Sequence, residues 1–167
     1  MPLMTSRTAL FLIGAVACVS GASSGAAQPA GKAGYDWHLR IDESDRAGQA
    51  ILAYEKNDTD GQELNFTCEA GGARIFAGIS GGPAGLSGIT LTAGTETLKL
   101  SGKTVQTEIP ELPSFTSAEI AGNHPFISAL AANGGLTAII GSASINMAGT
   151  KAGTKAVADF VAHCEGR

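Results

Sequence analysis

Apolar and polar residues alternate through most of this chain, and the period changes clearly only near its end. Leu136, Ala138 and Ile140 alternate with Thr137, Ile139 and Gly141, and after a Gly-Ser bend Ile145 and Met147 resume the alternation, which predicts two short strands. From Lys155 the spacing becomes helical: Ala156, Val157, Phe160, Val161 and Cys164 fall on one stripe, Thr154 is placed to cap the N-terminus, and Gly166 to take a left-handed cap. Cys164 therefore belongs to the buried stripe.

Upstream segments read as elements that pack against this end. Tyr35, Trp37 and Leu39 give a first strand with Trp37 facing inward, and residues 49–56 give a second. The Asn, Asp and Gly residues of 57–61 make a turn, and Leu64, Phe66 and Cys68 share one face of a third strand, so 49–68 is a hairpin. Residues 74–80 form a fourth strand. Ile89, Leu91, Leu98, Leu100, Val105 and Ile109 mark three short segments separated at Ala93-Gly94 and at Ser101-Gly102-Lys103, and Pro110 and Pro113 end the run. Residues 115–120 read as a strand, although Thr116 to Glu119 also fits a helix capping box. His124-Pro125 opens a short helix carrying Phe126, Ile127 and Leu130 on one face and ending at Gly134. The expected fold is mainly β (α+β): an antiparallel sheet or sandwich of about ten short strands with two short helices, the last at the C-terminus.

At 167 residues the chain is sized for one domain. Aromatic residues make up only 5% while glycines number 23, so the core is expected to be built from small aliphatic side chains between many turns.

Residues 1–27 have the form of a secretory signal peptide: Arg7 in the first segment, the apolar run 9–17, then small and polar residues. That run is far shorter than the about 20 residues of a spanning helix, so no transmembrane span is expected. Two processing routes compete. Cleavage after Gly25-Ala26-Ala27 leaves a chain beginning at Gln28, with a tether over 28–34 and one globular domain over 35–167. Alternatively, 1–17 is a lipoprotein signal: Ala15-Val16-Ala17-Cys18 resembles a bacterial lipobox, with Ala15 in the place of the usual Leu, and makes Cys18 the lipidation candidate. Either route leaves Cys68 and Cys164, which pair as a disulfide in an oxidising compartment and are two buried thiols in a reducing one. The expected location is periplasmic or secreted, or lipid-anchored to the outer membrane.

With 11 basic against 15 acidic residues and no Lys/Arg cluster, the chain lacks the footprint needed for nucleic acid or for an anionic membrane surface. The Trp37 strand, Ala53-Tyr54, Leu64-x-Phe66-x-Cys68, His124-Pro125-Phe126 and a last helix ending in Cys164 resemble a scattered set of small exported proteins of alphaproteobacteria that have no assigned function. The resemblance spans the mature chain and implies an address more than an activity. The final strand and helix are also similar to those of the invasion-associated locus B family, whose early cysteines have no counterpart here.

Few motifs carry chemistry. Gly78-Ile79-Ser80-Gly81-Gly82 matches the nucleophile elbow Gly-x-Ser-x-Gly and makes Ser80 the one catalytic candidate, but residues 81–85 cannot supply the helix that should follow. Ser101-Gly-Lys-Thr104 echoes the end of a phosphate-binding loop without its first glycine, since that position is Thr97. Asp58 and Asp60 sit where a calcium loop would need Lys56 as first ligand. His38, His124 and His163 show no metal spacing, so neither a metal nor a cofactor is expected. The expected function is a small exported, non-catalytic binding or accessory module whose partner is an envelope protein or a small ligand. The alternatives are a serine hydrolase using Ser80 and a partner-binding or inhibitor domain.

Overall fold

Alternation becomes ten strands and two helices in the computed structural model, which describes residues 30–44, 46–59, 61–106 and 113–166. The leader with Cys18, the start at Gln28, the turn residue Asp60, Ile109 and Pro110 lie outside the described residues. Strands β1 (Tyr35–Ile41), β2 (Ala50–Lys56), β3 (Gln62–Cys68) and β4 (Arg74–Ser80) follow one another as antiparallel neighbours. Next come β5 (Gly88–Ala93), β6 (Glu96–Val105), β7 (Ser114–Ser117) and β8 (Ile120–Ala121), then helix α1 (Pro125–Asn133), β9 (Gly135–Ile140), β10 (Ala143–Ala148) and helix α2 (Lys151–Cys164).

The strands form one antiparallel sheet in the order β1-β2-β3-β4-β7-β6-β5-β9-β10, with β8 paired to the start of β4. The sheet curls until it is nearly a barrel. Its end strands meet without a ladder: the Trp37 indole N–H of β1 donates to the Met147 carbonyl of β10 at 3.0 Å. Trp37, Tyr54 and Leu64 lie side by side across β1, β2 and β3, with Leu39, Leu52 and Phe66 as the next row, so the expected inner face is the core face. Helix α2 packs against β1, β2 and α1, while α1 packs against β5, β6 and β9. Val157, Phe160, Val161 and Cys164 are buried on the predicted stripe.

Three expectations are corrected in detail. Helix α2 starts a turn earlier than its apolar spacing predicts: Thr150, not Thr154, is its N-cap, because the Thr150 hydroxyl accepts the N–H groups of Ala152 and Gly153. Ser101-Gly102-Lys103 does not separate two strands, since β6 runs straight through it. Gly102 is there because the Phe115 ring of β7 lies over the strand, and a Cβ at Gly102 would sit 2.3 Å from it. Residues 115–120 form not one strand but two short ones, β7 and β8, both paired to β4; Ser117 fills the gap by accepting the Ala77 N–H at 2.9 Å and donating to the Ala118 carbonyl.

Cys68, ending β3, and Cys164, ending α2, are joined by a disulfide with Cα atoms 5.7 Å apart. Backbone bonds reinforce that corner: the N–H of Gly71 donates to the His163 carbonyl and that of Ala73 to the Cys164 carbonyl. The other helix begins as expected, with His124 as N-cap accepting the Phe126 N–H and Gly134 left-handed at its end.

Candidate functional site

Ser80 closes β4 and is exposed, opposite Ser114 of β7. The glycines around it have structural reasons of their own. A Cβ on Gly78 would meet the Asn65 side chain of the neighbouring β3 at 2.5 Å, and Gly81 turns the chain with φ at +72°. Residues 81–87 continue as bends and turns, not as a helix.

What Ser80 does line is a cavity of about 360 Å³ at one rim of the curled sheet. Antiparallel order explains its composition: the starts of β1 and β3 and the ends of β4 and β9 fall at the same rim. Tyr35 comes from β1, Gln62 and Glu63 from β3, Ile79 and Ser80 from β4, and Ile140 from β9, with Ile145 of β10 completing the wall. A few polar groups over an apolar floor is the usual make-up of a small-molecule site, and the volume falls at the low end of the range for such sites.

Residues 30–34, the described end of the tether, are held against this rim. The Asn146 side-chain amide donates to the Ala30 carbonyl at 2.7 Å, the Lys32 N–H donates to the Tyr54 hydroxyl at 3.0 Å, and the Asn57 N–H donates to the Gly34 carbonyl at 2.8 Å. The Lys32 ammonium pairs with the Glu63 carboxylate and stands 4.2 Å from the centre of the Tyr35 ring. Hydrogen bonding to Glu63 first, and then to Tyr35, raises the Lys32 pKa above its ordinary value. Behind Tyr35, the Tyr54 ring stacks at 5.7 Å and Trp37 follows at 5.1 Å, and Trp37 is buried in the core as its inward position predicts. Burial pushes the Tyr54 hydroxyl pKa up.

The three histidines are each engaged away from this cavity. His38 meets the Asn57 side chain on the outer face, His124 caps α1, and His163 Nε2 lies 2.7 Å from the Gly48 carbonyl. Among the described residues no group of three or more His, Cys, Asp or Glu side chains is arranged to hold a metal. Lys103 is exposed on β6, where a strand replaces any phosphate loop, and Asp58 sits in the turn with φ at +61°. Among the described residues no helix is long and apolar enough to cross a membrane.

Lys32, Tyr35 and Glu63 carry no sequence signal of a shared site. They lie up to 31 positions apart, in a tether and two strand starts, and only the order of the strands unites them with Ser80. No protein family, no curated protein and no solved structure matches the chain.

Proposed function

We propose that this is a small exported, non-catalytic binding module of a bacterial envelope, related to the alphaproteobacterial set named above, and that its ligand site is the cavity lined by Tyr35, Glu63 and Ser80. The three-part leader and the Cys68–Cys164 pair support a periplasmic or secreted location, with anchoring of the outer-membrane type through Cys18 as the alternative. The cavity carries the binding reading: it joins an aromatic ring, a carboxylate, an amide and a hydroxyl over isoleucine side chains.

A hydrolase needs a base within hydrogen-bond reach of its nucleophile. Each histidine bonds elsewhere, and Ser80 ends a strand whose glycines are there for packing and turning, which favours recognition over acyl transfer. The test is a fluorophosphonate probe on the purified exported chain together with two-dimensional NMR during a small-molecule screen. Shifts clustered at Tyr35, Glu63 and Ile140, with no probe labelling, are expected. Labelling that vanishes in Ser80→Ala would instead establish the hydrolase.

A further inference from the structure

The Lys32 ammonium occupies a receptor made by two residues of the cavity wall. A carboxylate beside an aromatic face is the chemistry that recognises an ammonium ion, through charge and through the ring quadrupole. Glu63 and Tyr35 both line the cavity, and Lys32 reaches them from the flanking tether. Resting on the binding reading above, we propose that the cavity takes a small primary amine with an apolar body, its ammonium replacing that of Lys32 between Glu63 and Tyr35 and its body lying on Ile79, Ile140 and Ile145. Lys32 is then an internal competitor.

Two features make the exchange feasible. The tether is fixed by main-chain bonds of Ala30, Lys32 and Gly34, none of which involves the Lys32 ammonium, so the side chain can leave while the segment stays docked. The Lys32 side chain is also 47% exposed and regains water when displaced, whereas Glu63 is only 25% exposed and is left needing a cation. The acidic balance of the chain, net −4, favours the approach of cations over anions.

An internal competitor lowers apparent affinity by the fraction of time it occupies the site. Removing it should therefore strengthen binding, the opposite of what loss of a contact residue does. The experiment titrates the exported chain and its Lys32→Ala variant with hexylammonium, with hexanol as neutral probe, by NMR. Hexylammonium should bind Lys32→Ala roughly tenfold more tightly than the parent, as an exposed ion pair plus a cation–ring contact would give. Hexanol should bind both proteins alike, and Glu63→Gln should erase the preference for the amine. If hexanol binds but hexylammonium gains nothing from Lys32→Ala, the ammonium receptor is refuted and the cavity stands as a binding site. If neither probe shifts the cavity resonances in either protein, both readings fall.

Discussion

The Asp36 carboxylate of β1 closes the N-terminus of α2 through Thr150: Oδ1 accepts the Thr150 N–H at 2.9 Å and Oδ2 accepts the Thr150 hydroxyl at 2.5 Å. The second bond fixes where that hydroxyl proton points and leaves the oxygen lone pairs for the N–H groups of Ala152 and Gly153. A strand residue thus orients a cap that serves a helix more than a hundred positions away. The negative charge also stands at the positive end of the helix. Asp36→Ala should cost about 1–3 kcal/mol, because it takes this acceptor from the buried Trp37 N–H and from both donors of Thr150, and amide exchange should speed up first in residues 151–154. Denaturant melts and exchange together check this; an unchanged midpoint would refute the relay.

Gly153 tests the same corner from the helix side. Replacing an interior helical glycine by alanine ordinarily gains about 0.5–1 kcal/mol. Here the added Cβ would lie 1.9 Å from Asp36 Oδ1, an oxygen already held by the N–H groups of Trp37 and Thr150. The clash should win, so Gly153→Ala is expected to destabilise by about 1–3 kcal/mol. In an Asp36→Ala background the same change should become neutral or stabilising, and a double-mutant cycle measures that reversal.

The disulfide is not the only fastening of α2. Thr150 holds one end, Phe160 packs against Phe66 at 6.5 Å between ring centres, and two backbone bonds hold the other end at Gly71 and Ala73. Replacing Cys68 and Cys164 by Ala should lower stability by about 2–4 kcal/mol, given the 96-residue separation, without abolishing the sheet. Thermal melts and exchange rates of the last turn of α2 measure it. Alkylation of two thiols in the exported protein without denaturant would show that the bond does not form there.

Alternation alone placed β1 to β4, β9 and β10 correctly, because a period of two with Trp37, Tyr54 or Phe66 on one face leaves a strand only one way to bury itself. The pairing of Cys68 with Cys164 followed from a strand face and a helix stripe that both had to be buried. What was illegible depends on partners distant in sequence. The first turn of α2 holds Ala152 and Gly153, which carry no apolar period, and its cap becomes visible only once Asp36 is beside it. The cavity escaped for the same reason, since Tyr35, Glu63, Ser80 and Ile140 meet only through the order of strands. Ser80 carries a motif whose glycines serve strand packing and a turn instead.

Acid should weaken the outer face of β1 and β2. Arg40 donates to both oxygens of Glu55, at 2.6 and 2.8 Å, and this holds the Glu55 carboxyl below the usual carboxylate range. A depressed folded pKa stabilises the fold at pH above the unfolded value, and the gain is lost as pH falls through the folded one. Arg40 is 49% exposed, so the contribution should stay below about 1 kcal/mol. Melting temperatures of the parent and Arg40→Gln should differ at pH 7 and converge as pH falls below the ordinary carboxylate range. A constant difference across that range would mean that the pairing with Glu55 is not what the arginine contributes.

The last prediction concerns the strand that local sequence would break. Glycine inside a strand is entropically costly, so Gly102→Ala should help by about 0.5–1 kcal/mol if residues 101–103 were a turn or an open strand. In the structure a Cβ there would lie 2.3 and 2.4 Å from two ring carbons of Phe115 and 2.5 Å from the Thr116 carbonyl oxygen. Phe115 is 1% exposed and belongs to the core. Either the ring is forced out of the core or β7 separates from β6, and both cost more than the entropy returns. Gly102→Ala should therefore destabilise by about 1–3 kcal/mol, with the loss shared by exchange rates at Lys103 and Val105, which pair with β7. If the variant is as stable as the parent, Phe115 does not lie over Gly102, and the segment is the two short strands that its alternation suggests.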